Sequence, residues 1–450
     1  MVTVHPPLPA QSPSAQSPSA QSPAGRPAAG PTSDGRPTSD ESAALLTELF
    51  DPASRHDPYS IYVRMRAVGP LHDGPFGLPL ATNHADCSAI LANLDWGHDR
   101  EPEQLHPTMP AGAFPTTFLW MEPPDHTRLR GLVTKGFTPR VVAGLRPRIA
   151  ALVDELLDNA LRAGEFDLIE TIAYPLPLTV VCEILGVPAS DHPQVQVWSQ
   201  ALARAFDPDV LMTPEALAAR NAVIPDFLGY FRALVERARR EPGDDLISQL
   251  AAVEEAGDRL TADELFGTCV TLLIAGHETT VNLVGNGMLA LLRHPDQLAL
   301  LRANPDLVGP AVEEMLRYDS PIHMNTRAAK REMTVAGRTF APGDGAVALI
   351  ACANRDPAAY DDPERFDVTR FDRSRAAAAP GARPVSRHLS FSLGHHYCLG
   401  APLALLEMEI LLHAVLRRIA TMELLTDTPP YKPNMLIRGL AALPTRFHAA

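Results

Sequence analysis

One cysteine lies where its sulfur could bind a metal. Cys398 belongs to the segment FSLGHHYCLG, residues 391–400, which ends directly before an apolar helical pattern. Backbone N–H groups and the positive end of a helix dipole stabilise a thiolate there, and Gly394 and Gly400 let the backbone approach closely. A cysteine taken alone is more often an inert buried residue. Position makes Cys398 a candidate ligand without deciding its role.

A second reactive group interrupts the most apolar helical stretch. Glu278, Thr279 and Thr280 end the segment AGHETT. An acid and two alcohols inside such a stretch are costly unless they have partners. They form either a polar spot satisfied by water at a helix kink or a route for proton delivery.

Two further pairs of residues have helical spacing. Glu314 and Arg317 lie three apart, and His126 and Arg130 lie four apart, so each pair shares a helix face. The first pair can form an ion pair, and the second can bind an anionic group. Each pattern by itself is also typical of an ordinary solvated face.

In this order and at these separations, the four segments resemble the motifs of cytochrome P450 monooxygenases, from about Glu41 to the C-terminus. The resemblance implies that Cys398 is the axial thiolate ligand of the iron in haem b. The residues it places at the haem are Ala275, Gly276, Phe391, Gly394, His396, Cys398 and Gly400, with His126, Arg130 and Arg327 joining His396 at the propionates. Ser392 departs from the glycine usual at its position, which affects the tuning of the iron and not its ligation.

The resemblance also implies a role for each residue beside dioxygen. Ala275 and Gly276 leave room for dioxygen, Thr279 donates a proton to it, and Glu278 connects Thr279 to solvent water. Thr280 is a neighbour that stabilises the helix. By the same resemblance, Glu314, Arg317 and Arg365 form a buried structural triad.

The five cysteines predict no disulfide framework. They are far apart and odd in number, with no CxxC pair. A zinc site built from His395, His396 and Cys398 is disfavoured because no second ligand pair has suitable spacing. No apolar run reaches the length of about 18 residues that a membrane span needs. We expect a cytoplasmic protein.

The net charge of -14 disfavours nucleic acid and anionic membrane surfaces as partners. Residues 1–42 repeat AQSPS-like units and predict a disordered tail, followed by one haem-thiolate domain at 43–450. Helical periodicity at 142–163, 227–240, 264–292 and 310–318, with short strands at 333–335 and 346–350, predicts a mainly α fold. Thr261 and Glu264 form a capping-box pattern. The resemblance implies the cytochrome P450 fold, a large helical domain with small β-sheets around a buried haem.

The family resemblance is to soluble, actinomycete-like biosynthetic forms that take electrons from a ferredoxin and its reductase. It implies hydroxylation or epoxidation, with dioxygen, of a sizeable apolar molecule such as a polyketide or other secondary metabolite. The candidate lining residues are Phe114, Phe118, Met324, Met435 and Leu436, with His277 and His323 as polar exceptions. Three alternatives stay open: a peroxygenase, an oxidative coupling or rearrangement catalyst, and a haem-binding protein without turnover. Arg128, Lys135 and Arg387 are the candidate basic patch for ferredoxin.

Overall fold

The computed structural model describes most of the predicted domain. It covers residues 40–74, 77–98, 106–110, 113, 117–252, 254–255, 258–372, 374 and 385–450, without the side chains of 254–255 and 258. These residues belong to one compact unit, Thr38–Ala450. Its first helix begins at Asp40, slightly before the predicted boundary. Phe114 and residues 1–39 of the predicted tail lie outside the described residues.

Helices dominate the described chain, which confirms the mainly α prediction. They are α1 (Asp40–Phe50), α2 (Tyr59–Val68), α3 (His84–Ala92), α4 (Asp125–Thr134), α5 (Pro139–Gly144), α6 (Arg146–Ala163), α7 (Pro175–Ile184), α8 (His192–Leu202), α9 (Pro214–Arg240), α10 (Leu246–Ala252), α11 (Ala262–Arg293), α12 (Pro295–Ala303), α13 (Val308–Tyr318), α14 (Ile350–Ala353) and α15 (Ala401–Arg418). In the part of the chain that the structure describes, no helix is long and apolar enough to cross a membrane.

The helix predicted at 142–163 is divided in the structure. α5 ends at Gly144 and α6 begins at Arg146, with Leu145 between them. Pro147 lacks an N–H group and cannot continue a helix from the preceding turn, but it is well placed in the first turn of α6. The buried residues of α6 include Ile149, Val153 and Leu156, whose spacing of four and three gives one apolar face.

The strands are short. They are β1 (Leu71–Asp73), β2 (Pro79–Ala81), β3 (Trp96–Gly97), β4 (Glu165–Asp167), β5 (Glu254–Glu255), β6 (Asp258–Arg259), β7 (Asn325–Ala329), β8 (Met333–Val335), β9 (Arg338–Phe340), β10 (Gly345–Ala348), β11 (Ile419–Leu424) and β12 (Pro444–Ala449). β8 confirms the prediction at 333–335, whereas the segment predicted at 346–350 is β10 followed by the start of α14. The other strands were not predicted. Most of them have two or three residues and show no clear alternation, whereas β7, β11 and β12 have five or six residues and were also missed.

Two of the sheets have three or more strands. In the five-stranded sheet the order is β1-β2-β10-β7-β3, with β2 and β10 parallel and the other pairs antiparallel. In the three-stranded sheet the order is β11-β12-β4. The pairs β5-β6 and β8-β9 are separate hairpins.

The long helix α11 forms much of the main apolar core. It begins with the predicted capping box: Thr261 Oγ1 accepts from the Glu264 N–H at 3.2 Å, and the Thr261 N–H donates to Glu264 Oε2 at 2.8 Å. α11 packs against α7, α9 and α13, while α15 packs against α6 and α13. Helix α13 therefore contacts both the helix that carries Glu278 and the helix that follows Cys398.

Candidate functional site

The cysteine loop folds back on itself before α15. The Cys398 N–H donates to the Phe391 carbonyl oxygen at 2.9 Å, and the Tyr397 N–H donates to the Gly394 carbonyl oxygen at 3.1 Å. The Ser392 N–H donates to the Leu389 carbonyl oxygen at 2.8 Å. These bonds fold the loop so that Cys398 lies shortly before α15. This helix begins at Ala401, and the sequence predicted a helix directly after the loop.

Three positions of this loop were singled out in the sequence: Ser392, Gly394 and Gly400. The backbone has a left-handed conformation at the first two. Gly394 has a φ of +66°, and a Cβ there would lie 3.0 Å from the Ala92 carbonyl oxygen. Ser392 has a φ of +59°, in the left-handed region that a glycine adopts freely and that costs other residues about 1–2 kcal/mol. The buried Ser392 Oγ has no hydrogen-bond partner in the part of the chain that the structure describes. Gly400 has no protein atom within 4 Å of the place a Cβ would take, so no protein contact requires glycine there.

Cys398 differs from the other four cysteines in its exposure. Cys398 is exposed, and the others are buried. Desolvation by the surrounding protein raises the pKa of the Cys398 thiol, although the Gly400 and Ala401 N–H groups and Arg130 oppose this shift. The helix N-terminus therefore does not by itself yield a thiolate, and a bound metal ion would be needed to remove the proton.

Basic side chains gather beside the cysteine loop. Arg130 on α4 donates to the Tyr397 carbonyl oxygen at 2.5 Å, and the ring centroids of His126 and His396 lie 4.6 Å apart. Among the described residues neither ring nitrogen of buried His126 has a hydrogen-bond partner, and burial lowers the pKa of this ring to about 4. Burial also lowers the pKa of Arg327 to about 10. The described hydrogen bonds of Arg327 go to neutral oxygens, on Asn325 and Thr326.

This cluster fits a ligand that carries carboxylates. Buried polar nitrogens are normally hydrogen-bonded, so the two unpartnered nitrogens of His126 call for an acceptor. A carboxylate would also compensate the desolvated guanidinium of Arg327. The propionates of haem b supply such groups, and the exposed Cys398 sulfur lies in the same neighbourhood, as its electrostatic contact with Arg130 indicates.

Glu122 is a member of this neighbourhood that the sequence did not reveal. Its carboxylate is hydrogen-bonded to His396 Nε2 and His395 Nε2, each at 3.1 Å, and accepts from Lys330 Nζ at 2.9 Å and from the His98 N–H at 2.9 Å. Burial alone would raise the pKa of Glu122, but the hydrogen bonds from His396, Lys330 and His98 outweigh it and hold the pKa below its usual range. Glu122 lies 273 residues from His395, so no local spacing signals the contact.

The structure also revises the zinc alternative. The metal-ligating atoms that lie within 4.8 Å of one another in the described chain belong to Glu122, His395 and His396, without Cys398. Lys330 Nζ already lies 2.9 Å from the Glu122 carboxylate, where its positive charge would repel a cation. The set of His395, His396 and Cys398, which the ligand spacing disfavoured, is not brought together as a metal site among the described residues.

The predicted dioxygen-side residues lie on two faces of α11. Ala275 and Thr279 are half-buried and Gly276 is exposed, although they stand in the middle of a buried helix. The Thr279 hydroxyl donates to the Ala275 carbonyl oxygen at 3.1 Å, and the Thr280 hydroxyl donates to the Gly276 carbonyl oxygen at 3.3 Å. The face with Ala275, Gly276 and Thr279 is thus accessible, while Glu278 and Thr280 are buried.

Glu278 has a partner that the sequence did not reveal. Lys432 Nζ lies 2.5 Å from Glu278 Oε1 and donates to Asn282 Oδ1 at 3.1 Å. Glu278 is almost completely buried, and the Lys432 side chain is 16% exposed. The available signal was the rarity of lysine, which occurs only at Lys135, Lys330 and Lys432. Two of these three lysines, Lys330 and Lys432, contact a candidate site.

The structural triad contains a different arginine from the one predicted. Arg317 donates to both Glu314 carboxylate oxygens, at 2.7 and 2.8 Å, and both side chains are fully buried. Arg370 Nε lies 3.1–3.2 Å from the same two oxygens. Arg365 contributes only its backbone carbonyl oxygen to Arg317, and its side chain is exposed. Arg370 replaces Arg365 because the segment after Pro363 turns its later arginine inward.

The candidate substrate-lining residues are divided among separate environments. Phe118 joins the main core, whereas Met324, Met435 and Leu436 pack with the N-terminal helices α1 and α2. His323 Nδ1 is hydrogen-bonded to Tyr62 Oη at 2.9 Å, and His277 Nδ1 to the Leu273 carbonyl oxygen at 2.7 Å. The Nε2 atoms of His277 and His323 find no hydrogen-bond partner within the described ranges.

Comparison with known proteins places this arrangement in a family. The model of the cytochrome P450 family matches residues 112–447. The cytochrome P450 monooxygenase PikC of Streptomyces venezuelae is 40% identical over 403 residues, which cover 87% of this chain and 91% of PikC. The 6-deoxyerythronolide B hydroxylase of Saccharopolyspora erythraea is 36% identical over 410 residues, with coverage of 87% and 96%.

A solved structure agrees with the sequence comparisons. The crystal structure of Mycobacterium smegmatis CYP164A2 with econazole bound has a TM-score of 0.79 and 42% identity, and the match covers 90% of this chain and 99% of that one. The predicted fold is thereby confirmed. The chain belongs to the cytochrome P450 family, has haem b as its cofactor and is a monooxygenase.

Proposed function

We propose that Cys398 is the thiolate ligand of the haem iron and that this monooxygenase hydroxylates or epoxidises a sizeable apolar metabolite. The observation that carries the proposal is the position of Cys398: the exposed cysteine stands before α15, near Arg130 and near His126, whose two ring nitrogens have no hydrogen-bond partner among the described residues. The other four cysteines are buried, so they present no sulfur to a bound cofactor.

The basic cluster holds the two propionates. His126, Arg130, Arg327 and His396 converge from α4, β7 and the cysteine loop. His126 offers nitrogens that have no other partner, and Arg327 gains a countercharge that offsets its burial. Glu122 keeps His396 oriented through the 3.1 Å hydrogen bond. Phe391 and Gly394 shape the loop, and Gly400 would leave room for the cofactor, because no described protein atom lies within 4 Å of the place a Cβ would take.

When bound, haem supplies the activation of dioxygen and the transfer of one oxygen atom to the substrate. Thr279 and Glu278 supply protons. The Thr279 hydroxyl proton points to the Ala275 carbonyl oxygen, and rotation about one bond redirects it to the accessible side of α11 beside Gly276. Glu278, the preceding residue on the helix, connects Thr279 to solvent: its carboxylate takes up a proton from water and passes it on to the hydroxyl, which replaces the proton that Thr279 has donated.

The substrate class and partners follow from the relatives and from the chain's own surface. By their names, PikC is a monooxygenase and the second relative hydroxylates 6-deoxyerythronolide B. We infer a polyketide or another apolar secondary metabolite as substrate, with a cytoplasmic ferredoxin and its reductase as electron source. Lys135 and Arg387 are exposed and suit an acidic ferredoxin, whereas Arg128 is half-buried and paired with Glu264.

The decisive experiment is the spectrum of the reduced protein with carbon monoxide. A thiolate-ligated haem gives a strongly red-shifted Soret band. We expect the band in the wild type and in the control Cys182→Ala, and its loss in Cys398→Ala with or without retained haem. A red-shifted band in Cys398→Ala would refute the assignment of the ligand.

The ferredoxin interaction has its own test. Reversing the charge of Lys135 and Arg387 to Glu should slow ferredoxin-driven turnover without weakening the spectral response to substrate. The same reversal at Arg239 and Arg240, on the exposed end of α9, serves as the control. Equal turnover in the two double variants would exclude the proposed patch.

A further inference from the structure

We propose that Lys432 is a positioning residue for proton delivery, one that holds the Glu278 carboxylate in place and connects it to the protein surface. This inference rests on the proposed function, in which Glu278 takes part in proton delivery. The residues come from two distant parts of the chain, 154 positions apart, and meet at a distance of 2.5 Å.

The first support is the rigid mounting of Lys432. It lies in the C-terminal hairpin, residues 430–441, where the Lys432 N–H donates to the Gly439 carbonyl oxygen at 2.9 Å and the Ala441 N–H donates to the Pro430 carbonyl oxygen at 2.8 Å. Tyr431 and Leu440 form an antiparallel bridge. The hairpin hydrogen bonds therefore hold the backbone of Lys432 in place independently of the contact between its side chain and Glu278.

The second support is a polar stripe on α11. Glu278, Asn282 and Asn286 are four residues apart and share one helix face. The Asn286 amide donates to the Arg438 carbonyl oxygen of the C-terminal hairpin at 3.1 Å. The hairpin approaches so closely that a Cβ on Gly439 would lie 1.8 Å from Asn282 Oδ1. The stripe thus docks the hairpin and aims Lys432 at Glu278.

The third support is the surroundings of the ion pair. A surface pocket is lined by Lys432 and by Arg55, His323, Tyr431, Asn434 and Arg438. On the inner side, Glu278 is almost completely buried and is adjacent in the chain to Thr279. Lys432 therefore stands between solvent and the carboxylate.

Spare hydrogen-bonding capacity surrounds the same pair. Asn282 Nδ2 and His277 Nε2 have no hydrogen-bond partner among the described residues. The Tyr174 ring lies 5.7 Å from Lys432 Nζ and 5.7 Å from the His277 ring. The pair is thus a polar cluster with positions left for proton exchange, and not a closed structural lock.

The test separates positioning from simple stabilisation. In Lys432→Gln the buried carboxylate loses its cation, and we expect it to take up a proton at neutral pH. The infrared spectrum of the haem-loaded protein should then gain a carboxylic acid band, which disappears in the double variant Lys432→Gln, Glu278→Gln. Turnover at saturating substrate should fall about tenfold or more with KM unchanged.

Two controls make the result decisive. Lys432→Arg, which keeps the cation, should show no new band and keep turnover within about threefold, or about 0.65 kcal/mol. Pro433→Ala alters the neighbouring exposed position of the hairpin and should behave as the wild type. If Lys432→Gln fails to bind haem, Lys432→Arg decides: retained turnover supports the proposal, and a loss of turnover overturns it.

Failure of the inference and failure of the proposed function give different results. A wild type without turnover would refute the proposed function, while the infrared band in Lys432→Gln would still report on the ion pair. A wild type that turns over, together with a Lys432→Gln variant of equal rate and without the band, would overturn only the role of Lys432.

Discussion

Two buried glutamates in this molecule are paired with cations in opposite ways. Glu314 receives donors on both carboxylate oxygens from Arg317 and Arg370, and Arg317 spends its other N–H groups on the carbonyl oxygens of Asn354, Pro363 and Arg365. Glu278 has the single ammonium of Lys432 on one oxygen. The first pair is closed to solvent, and the second reaches the surface through a side chain that is 16% exposed.

The difference shows how similar residue types serve structure in one place and chemistry in another. A buried network in which every donor and acceptor is satisfied rigidifies its surroundings, and removing one member is expensive. A pair with one strong contact and unpartnered neighbours can change its protonation without dismantling the fold. The predictions below set these two behaviours against each other.

The largest expected effect follows from removing Arg317. Arg317→Met leaves the buried Glu314 carboxylate with Arg370 as its remaining cation and the Asp367 N–H as a further donor. This loss should lower the free energy of unfolding by about 3–5 kcal/mol. Urea denaturation measures this loss, and the yield of haem-loaded protein should collapse with it. Arg232→Gln, which breaks an exposed ion pair with Asp263, should cost no more than about 1 kcal/mol. Equal losses in the two variants would remove the distinction between closed and open pairs.

The next effect distinguishes the two arginines of the segment after Pro363. Arg370→Met removes contacts to Glu314 and should lower the unfolding free energy by about 1–3 kcal/mol. Arg365→Met alters an exposed side chain whose backbone carbonyl makes the contact, so the change should stay within about 0.5 kcal/mol. The urea midpoints of the two variants show which substitution lowers the unfolding free energy more. A larger loss in Arg365→Met would support the predicted triad, in which Arg365 is the third member.

Thr279→Ala should have a small effect on stability and a large effect on turnover, the opposite of what we expect for Arg317→Met. It removes one hydroxyl that bonds the Ala275 carbonyl oxygen, so stability should change by about 1 kcal/mol or less. Product formed per dioxygen consumed should fall about tenfold or more, with peroxide released instead. Thr280→Ala is the matched control. A protein without turnover would respond to neither substitution, and unchanged product yield in Thr279→Ala would exclude its role in proton delivery.

The smallest expected effect is on pH dependence near Glu278. Burial lowers the pKa of His277, so the folded protein keeps this ring neutral while the unfolded chain takes up a proton below a pH of about 6.5. The contribution of neutral His277 to the free energy of unfolding is therefore fully present above a pH of about 6.5. It is lost as the pH falls from there toward the lower pKa that His277 has in the folded protein. The slope should reach at most about 1.4 kcal/mol per pH unit.

His277→Asn tests this sign, because asparagine does not titrate in this range. Urea denaturation between pH 7 and 5 should show a shallower loss of stability in His277→Asn than in the wild type. His448→Asn, at an exposed position, should follow the wild type. A steeper loss in His277→Asn would contradict the neutral buried ring.

Sequence patterns predicted the contacts that form between residues close together in the chain. The capping box at Thr261, the Arg317 contact with Glu314 and the position of Cys398 before α15 all follow from spacings of three or four residues. The sequence did not reveal the Lys432 contact with Glu278 or the Glu122 contacts with His395 and His396, because the partners are 154 to 274 residues apart.

The choice between Arg365 and Arg370 could not be made from sequence either. The two arginines lie five residues apart in one polar segment. Only the path of the folded backbone decides that one presents its carbonyl oxygen to Arg317 and the other its guanidinium to Glu314. Resemblance to the family assigned Arg365 to the third position, and the folded backbone places Arg370 there instead.

The close approach of Gly439 to Asn282 couples two positions that are far apart in the chain. A methyl group at residue 439 has no room while residue 282 carries an amide, because the Cβ would lie 1.8 Å from Asn282 Oδ1. A lineage that acquires a side chain at 439 must therefore also replace Asn282 by a smaller residue or move its side chain, whereas residue 282 can become smaller while Gly439 stays. The order of changes at these two positions is thus constrained in one direction.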